Sequence, residues 1–334
     1  MKKILYIGNK LSKHGINKTT IETLGENLSK SGFRVVSYSS KKNSALRMLD
    51  MLFGILKHKN SDYILIDTYS TSAFWFAFLS SQLARLLQIK YIPILHGGNL
   101  PNRLISNPKL CSLFFNKAHV NVSPSEYLKF HFEKSGISNV ICIPNSINLS
   151  DYSFKERQNF VPNILWVRAF AEIYNPKMAV NVLHSLQEKY PDATLTMVGP
   201  DKDGSLETTK NYANQLKLNV TFTGKLSKAE WTDLAKNHDI FINTTHFDNT
   251  PVSVLEAMAL GLPVVSTNVG GLPFLISNHK NGYLVANNAA SEMVLQMEQI
   301  INFPAQTIEI IQEAKNRVLK MDWKVVENQW LNLL

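Results

Sequence analysis

The chain has 334 residues, of which 45% are hydrophobic and 18% charged, a composition that is typical of globular proteins and excludes a fibrous or disordered chain. This length exceeds one comfortable hydrophobic core, so we expect two domains. The excess positive charge lies in residues 1–160, with 21 Lys and Arg against 9 Asp and Glu, whereas residues 161–334 hold 14 against 17. This asymmetry favours an anionic partner for the first half; in the alternative interpretation, the charge only forms a solubilising face.

Short apolar runs alternate with helical patterns along the whole chain. The first half has predicted strands at 4–8, 34–38, 63–67, 91–95, 119–122 and 140–143, with helical patterns such as 18–30 and 44–57 between them. The second half has predicted strands at 164–167, 195–198, 220–223, 240–243, 263–266 and 283–285, and an amphipathic helix closes the chain. This rhythm predicts parallel sheets that are covered by helices on both faces.

The predicted fold class is therefore α/β, with two doubly wound Rossmann-like domains whose strand-end loops face a central cleft. We expect the first domain at residues 1–155 and the second at 161–318. The segment 145–162 lacks periodicity and is the expected linker. A C-terminal helix within 319–334 is expected to pack back toward the first domain.

Targeting signals are weak in this sequence. The apolar run at 4–7 is too short for the core of a signal peptide, and the run at 73–79 is too short for a membrane span. Cys111 and Cys142 form no CxxC pair, which favours unpaired thiols in a reducing compartment. We expect a cytoplasmic protein, with peripheral contact at the inner face of the membrane as a further expectation.

Residues 246–271, HFDNTPVSVLEAMALGLPVVSTNVGG, carry the clearest chemical signal. After the strand at 240–243, Thr250 and Pro251 predict an N-cap hydroxyl and the first residue of a helix. This helix start should lie at the carboxyl end of the sheet. Its free N–H groups at Val252 and Ser253 predict a phosphate site that needs no lysine.

Two acids accompany that helix start. Glu256 lies just over one turn into the helix, where it would repel phosphate but would accept hydrogen bonds from ribose hydroxyls. Asp248 precedes the cap and would lie beside a sugar on the other side of the phosphates. In the alternative interpretation, Glu256 is a solvated helix residue and Asp248 belongs to an Asx turn. The spacing alone does not choose between them.

The segment DNTPVSVLEAMALGLPVVSTNVGG resembles the signature of retaining glycosyltransferases of family 4, in which two acids eight positions apart flank the nucleotide-binding helix of a GT-B fold. Other segments resemble that family in matching order: ILYIGNKLSKHGINKTTIETLGENLSKSGF, YIPILHGGNLPNRL, VSPSEYLKFHFEKSG, ICIPNSINL, ILWVRAF and VTFTGKLS. The resemblance therefore covers essentially the whole chain.

The resemblance assigns expected roles to the residues of the second half. Glu256 would hold the donor ribose, and Asp248 would lie near the donor sugar, where the family usually has a glutamate. Arg168 matches the family arginine that neutralises the diphosphate, although an arginine after a strand is often a surface ion-pair former. The diphosphate would be held by a loop and helix start consisting of Asn249, Thr250, Pro251, Val252 and Ser253.

Further roles follow from the resemblance for Gly15, His96, Asn99 and Lys177. Gly15 would let backbone approach the donor phosphate, and His96 would face the donor sugar. Asn99 ends the HGGN run after the strand at 91–95 and is a further expected substrate contact. The family lysine that usually follows soon after the arginine is missing here, so the second phosphate cation is either absent or replaced by Lys177.

Retaining transfer in such enzymes needs no protein nucleophile and no metal, so we expect neither a metal site nor a cofactor beyond a UDP- or GDP-sugar donor. Asp201 and Asp203 superficially match a DxD metal motif, but two acids in a turn are usually solvated. The expected acceptor is lipid-linked or a saccharide, in bacterial cell-surface polysaccharide or glycolipid synthesis. No nucleic-acid partner is expected. The alternative is a non-catalytic relative that binds nucleotide or a partner protein.

Overall fold

A computed structural model describes residues 1–14 and 19–334. Its contacts divide the chain into two compact units, which we call unit 1 (Met1–Asn145 with Lys324–Leu334) and unit 2 (Ser146–Trp323). Each unit contains one six-stranded parallel sheet with helices between its strands. The predicted class, two doubly wound α/β units, is confirmed.

The strands of unit 1 are β1 Lys3–Ile7, β2 Arg34–Tyr38, β3 Tyr63–Thr68, β4 Lys90–Leu95, β5 Asn121–Ser123 and β6 Val140–Cys142. They pair in the order β2-β1-β3-β4-β5-β6. The helices between them are α1 Thr20–Lys30, α2 Ser44–Lys57, α3 Phe74–Leu86, α4 Leu100–Ser106, α5 Pro108–Phe115 and α6 Glu126–Lys134.

The central strands of unit 1 are apolar along their length because helices cover both faces of the sheet. In β3, the consecutive residues Ile64, Leu65 and Ile66 are all fully buried. Successive side chains of a strand point to opposite faces, so a sheet with one solvated face would expose every second residue. The unbroken apolar run is therefore the sequence signal of a doubly covered parallel sheet.

The strands of unit 2 are β7 Asn163–Val167, β8 Thr194–Val198, β9 Val220–Gly224, β10 Ile240–Asn243, β11 Val264–Thr267 and β12 Tyr283–Val285, in the order β12-β11-β10-β7-β8-β9. The helices of unit 2 are α7 Pro176–Gln187, α8 Ser205–Gln215, α9 Lys228–Leu234, α10 Val252–Ala259, α11 Leu272–Leu275, α12 Ala290–Asn302 and α13 Pro304–Leu319. The last helix, α14 Trp323–Leu333, belongs to unit 1 apart from Trp323. No helix within the described ranges has both the length and the apolar character to cross a bilayer.

The core of unit 2 consists of two apolar clusters, one on each side of the sheet. Ile164 and Trp166 of β7 point into one cluster, and Leu165 between them points into the other. Helices α7 and α12 pack in the first cluster, whereas α10 packs in the second. The sheet therefore holds α10 by its apolar face and leaves the start of that helix at the carboxyl edge of the strands.

Residues 146–162, expected as a linker, are part of unit 2. Arg157 anchors this segment with a guanidinium that is buried and donates to the carbonyls of Gly261 at 2.8 Å and His238 at 2.9 Å. Its Nε also lies 3.3 Å from the Asp239 carboxylate. The contacts therefore divide the chain after Asn145, and not within the expected interval of 155–161, because these bonds tie the segment to unit 2.

We expect Arg157→Ala to lower the free energy of unfolding by about 3 kcal/mol, because it leaves buried carbonyls and one carboxylate without their partner. Urea denaturation measures this change. The control is Lys155→Ala, which removes one exposed contact to the carbonyl of Lys236 and should change stability by less than about 0.5 kcal/mol. An Arg157→Ala variant as stable as this control would show that the segment is not anchored by Arg157.

Candidate functional site

Helix α10 begins one residue later than the sequence predicts. Pro251 is its N-cap residue, with an extended backbone at φ −67° and ψ 121°, and Val252 is the first helical residue. The predicted Thr250 cap is wrong. The φ of proline suits both the N-cap and the first helical position, and here the backbone becomes helical only after Pro251. The amides of Val252 and Ser253 have no acceptor inside the helix, as in any first turn.

Ser253 adds a side-chain donor to this helix start. Its hydroxyl is buried, and its Oγ has no hydrogen-bond partner among the described residues. A buried hydroxyl without a partner costs about 1–3 kcal/mol. Together with the two amides and the positive end of the helix dipole, this orphaned hydroxyl indicates a site that accepts an anionic oxygen.

Arg168 and Asp248 are brought together by the ends of β7 and β10. The Arg168 guanidinium forms an ion pair with the Asp248 carboxylate and lies 4.4 Å from the centroid of the Tyr174 ring. Burial lowers the pKa of Arg168, and contact with Tyr174 opposes that effect. The Nε of Arg168 is buried without a hydrogen-bond partner among the described residues. The site therefore holds a buried cation with one donor unused.

The Gly270–Gly271 pair holds the loop that contains Asp248. The amide of Gly271 donates to the carbonyl of Asp248 at 2.8 Å. A Cβ on Gly270, which has a φ of +54°, would collide with that carbonyl oxygen, and a Cβ on Gly271 would collide with the carbonyl oxygen of Asn249. Only glycine permits this approach of two backbones. The pair therefore fixes the loop from Asp248 to the start of α10.

The Glu256 side chain is mostly buried and has two protein partners. The Tyr152 hydroxyl donates to its Oε1 at 2.6 Å, and the Lys228 ammonium lies 3.8 Å from the same oxygen. Lys228 also lies 4.4 Å from the centroid of the Tyr152 ring and 3.5 Å from the Asp151 carboxylate. Burial raises the pKa of Glu256, and Tyr152 and Lys228 oppose that effect. These contacts orient the carboxylate through one oxygen.

Sequence reasoning did not find Tyr152 and Lys228. Tyr152 lies in the segment that was expected as a linker, and Lys228 is the first residue of α9. In the sequence they are only an aromatic residue and a lysine among polar neighbours. Because such residues occur in most loops, they do not indicate a site. Their contact with Glu256 joins residues that are far apart in the sequence, so a single sequence carries no trace of it.

Lys177 lies apart from these residues. It is at the second position of α7, and its Nζ lies 5.9 Å from the centroid of the Tyr212 ring. It lines a cavity of about 570 Å³ together with Asn175, Ser205 and His246.

In unit 1, His96 follows β4 and is buried. Its Nε2 lies 2.8 Å from Oδ1 of Asp67, and the Tyr6 hydroxyl donates to the same oxygen at 2.9 Å. The Tyr69 ring stacks on the imidazole with centroids 5.1 Å apart. Because a carboxylate only accepts, Nε2 carries a proton and Nδ1 is the nitrogen left for other contacts. Sequence reasoning missed Asp67, whose signal is an acid at the end of an apolar strand.

Two other predicted residues belong to unit 1. Asn99 is the N-cap residue of α4, and its side-chain oxygen accepts from Asn102 at 2.5 Å. Gly15 lies outside the described residues. Their predicted contacts with a substrate stay predictions.

The two acids of the DxD-like motif accept hydrogen bonds from backbone amides. Asp201 accepts hydrogen bonds from the amides of Lys202 and Gly204, and Asp203 accepts from the amide of Glu172 at 2.9 Å. Within residues 1–14 and 19–334, no group of three or more His, Cys, Asp and Glu side chains is arranged to hold a metal ion.

Sequence comparisons identify relatives of unit 2. The model of the family described as Glycosyl transferases group 1 matches residues 152–317. The chain is 29% identical over 161 residues to an uncharacterized glycosyltransferase of Haemophilus influenzae, which covers 46% of this chain and 44% of that protein. It is 27% identical over 158 residues to the sulfoquinovosyl transferase SQD2 of Arabidopsis thaliana, which covers 46% and 30%. The chain thus spans less than half the length of these curated relatives.

Solved structures resemble the chain over its whole length. Sucrose-phosphate synthase from Thermosynechococcus elongatus has a TM-score of 0.78 at 15% identity and covers 100% of this chain and 98% of its own. Anabaena HepE in complex with UDP has a TM-score of 0.77 at 16% identity, with coverage of 100% and 99%. With the two parallel sheets, these neighbours define the fold as GT-B, as predicted. Within that fold, residues 152–317 are similar to the glycosyl transferases group 1 family.

The raised pKa of Glu256 predicts a pH-dependent stability difference between wild type and Glu256→Gln. The folded carboxyl binds its proton more tightly than the unfolded one, whose ordinary pKa is 4.5. Wild type should therefore lose stability relative to the glutamine variant as pH rises above 4.5, by about 1.4 kcal/mol for each unit of pKa difference. Urea denaturation over a pH series measures this difference, with Glu298→Gln on α12 as the control. A difference that is constant with pH would contradict the raised pKa.

Proposed function

We propose that the chain is a retaining, metal-independent glycosyltransferase of family 4 that moves a hexose from a UDP- or GDP-sugar to a hydroxyl acceptor. The observation that carries this proposal is the start of α10, where two amides and the buried hydroxyl of Ser253 lack partners within the helix. The chain's GT-B neighbours support a nucleotide-sugar donor, because the Anabaena HepE structures contain UDP, UDP with glucose, and UDP-glucose.

The donor diphosphate would bind to the start of α10. The amides of Val252 and Ser253 and the Ser253 hydroxyl would donate to its oxygens, with the helix dipole behind them. The unused Nε of Arg168 would donate from the end of β7, and a guanidinium offers phosphate two parallel hydrogen bonds. Asn249 and Thr250 in the preceding loop would add side-chain contacts, with Pro251 fixing the turn between loop and helix.

The nucleoside would lie further along α10. Tyr152 holds one oxygen of Glu256, and among the described residues no donor contacts the other oxygen. That second oxygen is free to accept from the ribose hydroxyls. Lys228 keeps a positive charge beside the carboxylate, which favours the ionised form that a hydroxyl donor requires.

The chemical step would depend on stabilising the departing diphosphate. Negative charge would grow on the oxygen of the leaving phosphate as the bond to the sugar breaks, and the fixed dipoles of α10 and the charge of Arg168 would stabilise it. The acceptor hydroxyl would form its bond to the anomeric carbon on the side that the phosphate leaves. Because the new bond forms on the face from which the phosphate departs, the sugar would keep its configuration without a protein nucleophile. The proton of the acceptor hydroxyl would pass to the leaving phosphate.

Three further residues have proposed roles in this reaction. Asp248, which pairs with Arg168, would contact the donor sugar. His96, oriented by Asp67, would contact the sugar with the nitrogen that Asp67 leaves unused. Lys177 would add its positive charge to the electrostatic field around the diphosphate.

The proposed acceptor is a lipid-linked or saccharide hydroxyl, in bacterial cell-surface polysaccharide or glycolipid synthesis. The basic composition of unit 1 supports an acceptor that carries phosphate or lies at an anionic surface. A non-catalytic relative would bind UDP or GDP but would release no nucleoside diphosphate from any donor. Turnover therefore separates the two functions.

Two variants should show opposite kinetic patterns. Glu256→Gln should weaken UDP or GDP binding by about 1.5–3 kcal/mol, because it removes the charged acceptor of the ribose. Arg168→Ala should lower kcat more than affinity, because its charge stabilises the leaving group. Calorimetry with UDP and GDP, and nucleoside diphosphate release from a panel of donor sugars, measure the two effects.

The matched controls are Glu298→Gln and Lys189→Ala, a paired acid on α12 and base just after α7 in unit 2. Both controls should bind and turn over as wild type does. Unchanged binding and turnover in both site variants would reject the site, and binding without turnover in wild type would favour the non-catalytic alternative.

A further inference from the structure

Helix α2 is apolar on two opposite sides. On one side, Met51 and Ile55 are buried against the sheet of unit 1. On the other side, Leu49 and Phe53 are exposed by 62% and 58%, and Leu46 and Leu56 by more than half. A helix that covers a sheet needs only one apolar face, so packing within unit 1 does not explain the second one.

The four exposed residues of α2 form one continuous stripe. They follow one another at spacings of three, four and three residues, which places them along one side of a helix. Single exposed apolar residues are normal on a protein surface, whereas a contiguous patch of large apolar side chains marks an interaction surface.

Helix α3 extends this surface. It packs against α2, and its Trp75 and Leu79 are exposed by 46% and 41%. The crossovers from β2 to β3 and from β3 to β4 run in the same direction across the sheet, so the right-handed rule places α2 and α3 on the same face. We call the exposed residues Leu46, Leu49, Phe53, Leu56, Trp75 and Leu79 the α2–α3 surface.

Basic residues flank the exposed stripe at both ends. Residues 41–59 contain five Lys and Arg and one acid, Asp50; Lys41 and Lys42 precede α2, and Lys57 and Lys59 follow the stripe. Unit 1 as a whole contains 20 Lys and Arg against 8 Asp and Glu, whereas unit 2 contains 15 against 18. The positive charge of the chain is thus concentrated on the unit that carries the apolar surface.

We propose that the α2–α3 surface inserts into the headgroup region of an anionic bilayer, with α2 lying in the plane of the membrane. The leucines and aromatic residues would enter the boundary with the acyl chains, and the lysines at both ends of α2 would pair with lipid phosphates. The charge pattern favours lipid over a second copy of the chain, because two such surfaces face to face would bring their lysines together.

This inference does not rest on the donor site, since all of its residues lie in unit 1 and the proposed diphosphate site lies in unit 2. It adds a way in which the protein would be recruited to a membrane surface. A protein held in this way would be concentrated where a lipid-linked or membrane-proximal acceptor is found.

Vesicle co-sedimentation of the full chain tests the proposal. Wild type should bind vesicles of phosphatidylcholine mixed with phosphatidylglycerol, bind them less as salt rises, and not bind vesicles of phosphatidylcholine alone. Leu49→Ser with Phe53→Ser should bind at least about tenfold more weakly, because apolar burial in the interface is lost. The matched control is Leu295→Ser with Phe303→Ser, a Leu and Phe pair of unit 2 that is exposed by 57% and 52%, and it should bind as wild type does.

Trp75 reports insertion directly. Brominated lipids should quench its fluorescence on binding, and the quenching should be lost in Trp75→Phe. Of the other four tryptophans, Trp166, Trp231 and Trp330 are buried, and the half-buried Trp323 lies at the start of α14, outside the α2–α3 surface. Absence of binding by wild type, equal binding by Leu49→Ser with Phe53→Ser, or quenching that survives in Trp75→Phe would overturn the proposal. So would a wild-type dimer in sedimentation equilibrium that these serine substitutions dissociate, because the surface would then be an interface between copies.

Discussion

The approach of two backbones at Gly270 and Gly271 is the constraint on which the rest of the site depends. These glycines let the loop at Asp248 lie against the turn that follows β11, where the amide of Gly271 holds the Asp248 carbonyl. The loop then delivers Pro251 to the start of α10. A side chain at either glycine would displace the loop and with it the orientation of the helix donors. The chemistry proposed for unit 2 therefore depends on two residues that have no side-chain functional group.

The charged groups of this site have charged or hydrogen-bonding partners within the protein. Arg168 pairs with Asp248, and Glu256 is held by Tyr152 and Lys228. Arg168 and Glu256 are largely withdrawn from water, and burial of an ion is costly unless a partner is present. Among the described residues, the Nε of Arg168 and the second oxygen of Glu256 nevertheless have no protein partner. We interpret this pattern as a preorganised site, in which the ligand contacts atoms that the protein has positioned but not used.

Sequence periodicity was sufficient to predict the fold, because buried parallel strands must be apolar along their length. β2, β10 and β12 have the predicted bounds. β5 begins at Asn121, two residues later than predicted, because His119 belongs to the preceding loop. The position of α10 was predicted to within one residue, since proline fixes φ but not the point where ψ becomes helical. Tyr152 and Asp67 could not be predicted: their contacts depend on the packing of a supposed linker and on the order of strands in a sheet, which a single sequence does not specify.

The account rests on the claim that the start of α10 binds a diphosphate. A crystal structure of the full chain with UDP tests it most directly. We expect the diphosphate within hydrogen-bonding distance of the Val252 and Ser253 amides and the Arg168 guanidinium, with the ribose hydroxyls on Glu256. A diphosphate bound elsewhere, with the Ser253 hydroxyl and the Nε of Arg168 still without partners, would contradict the account.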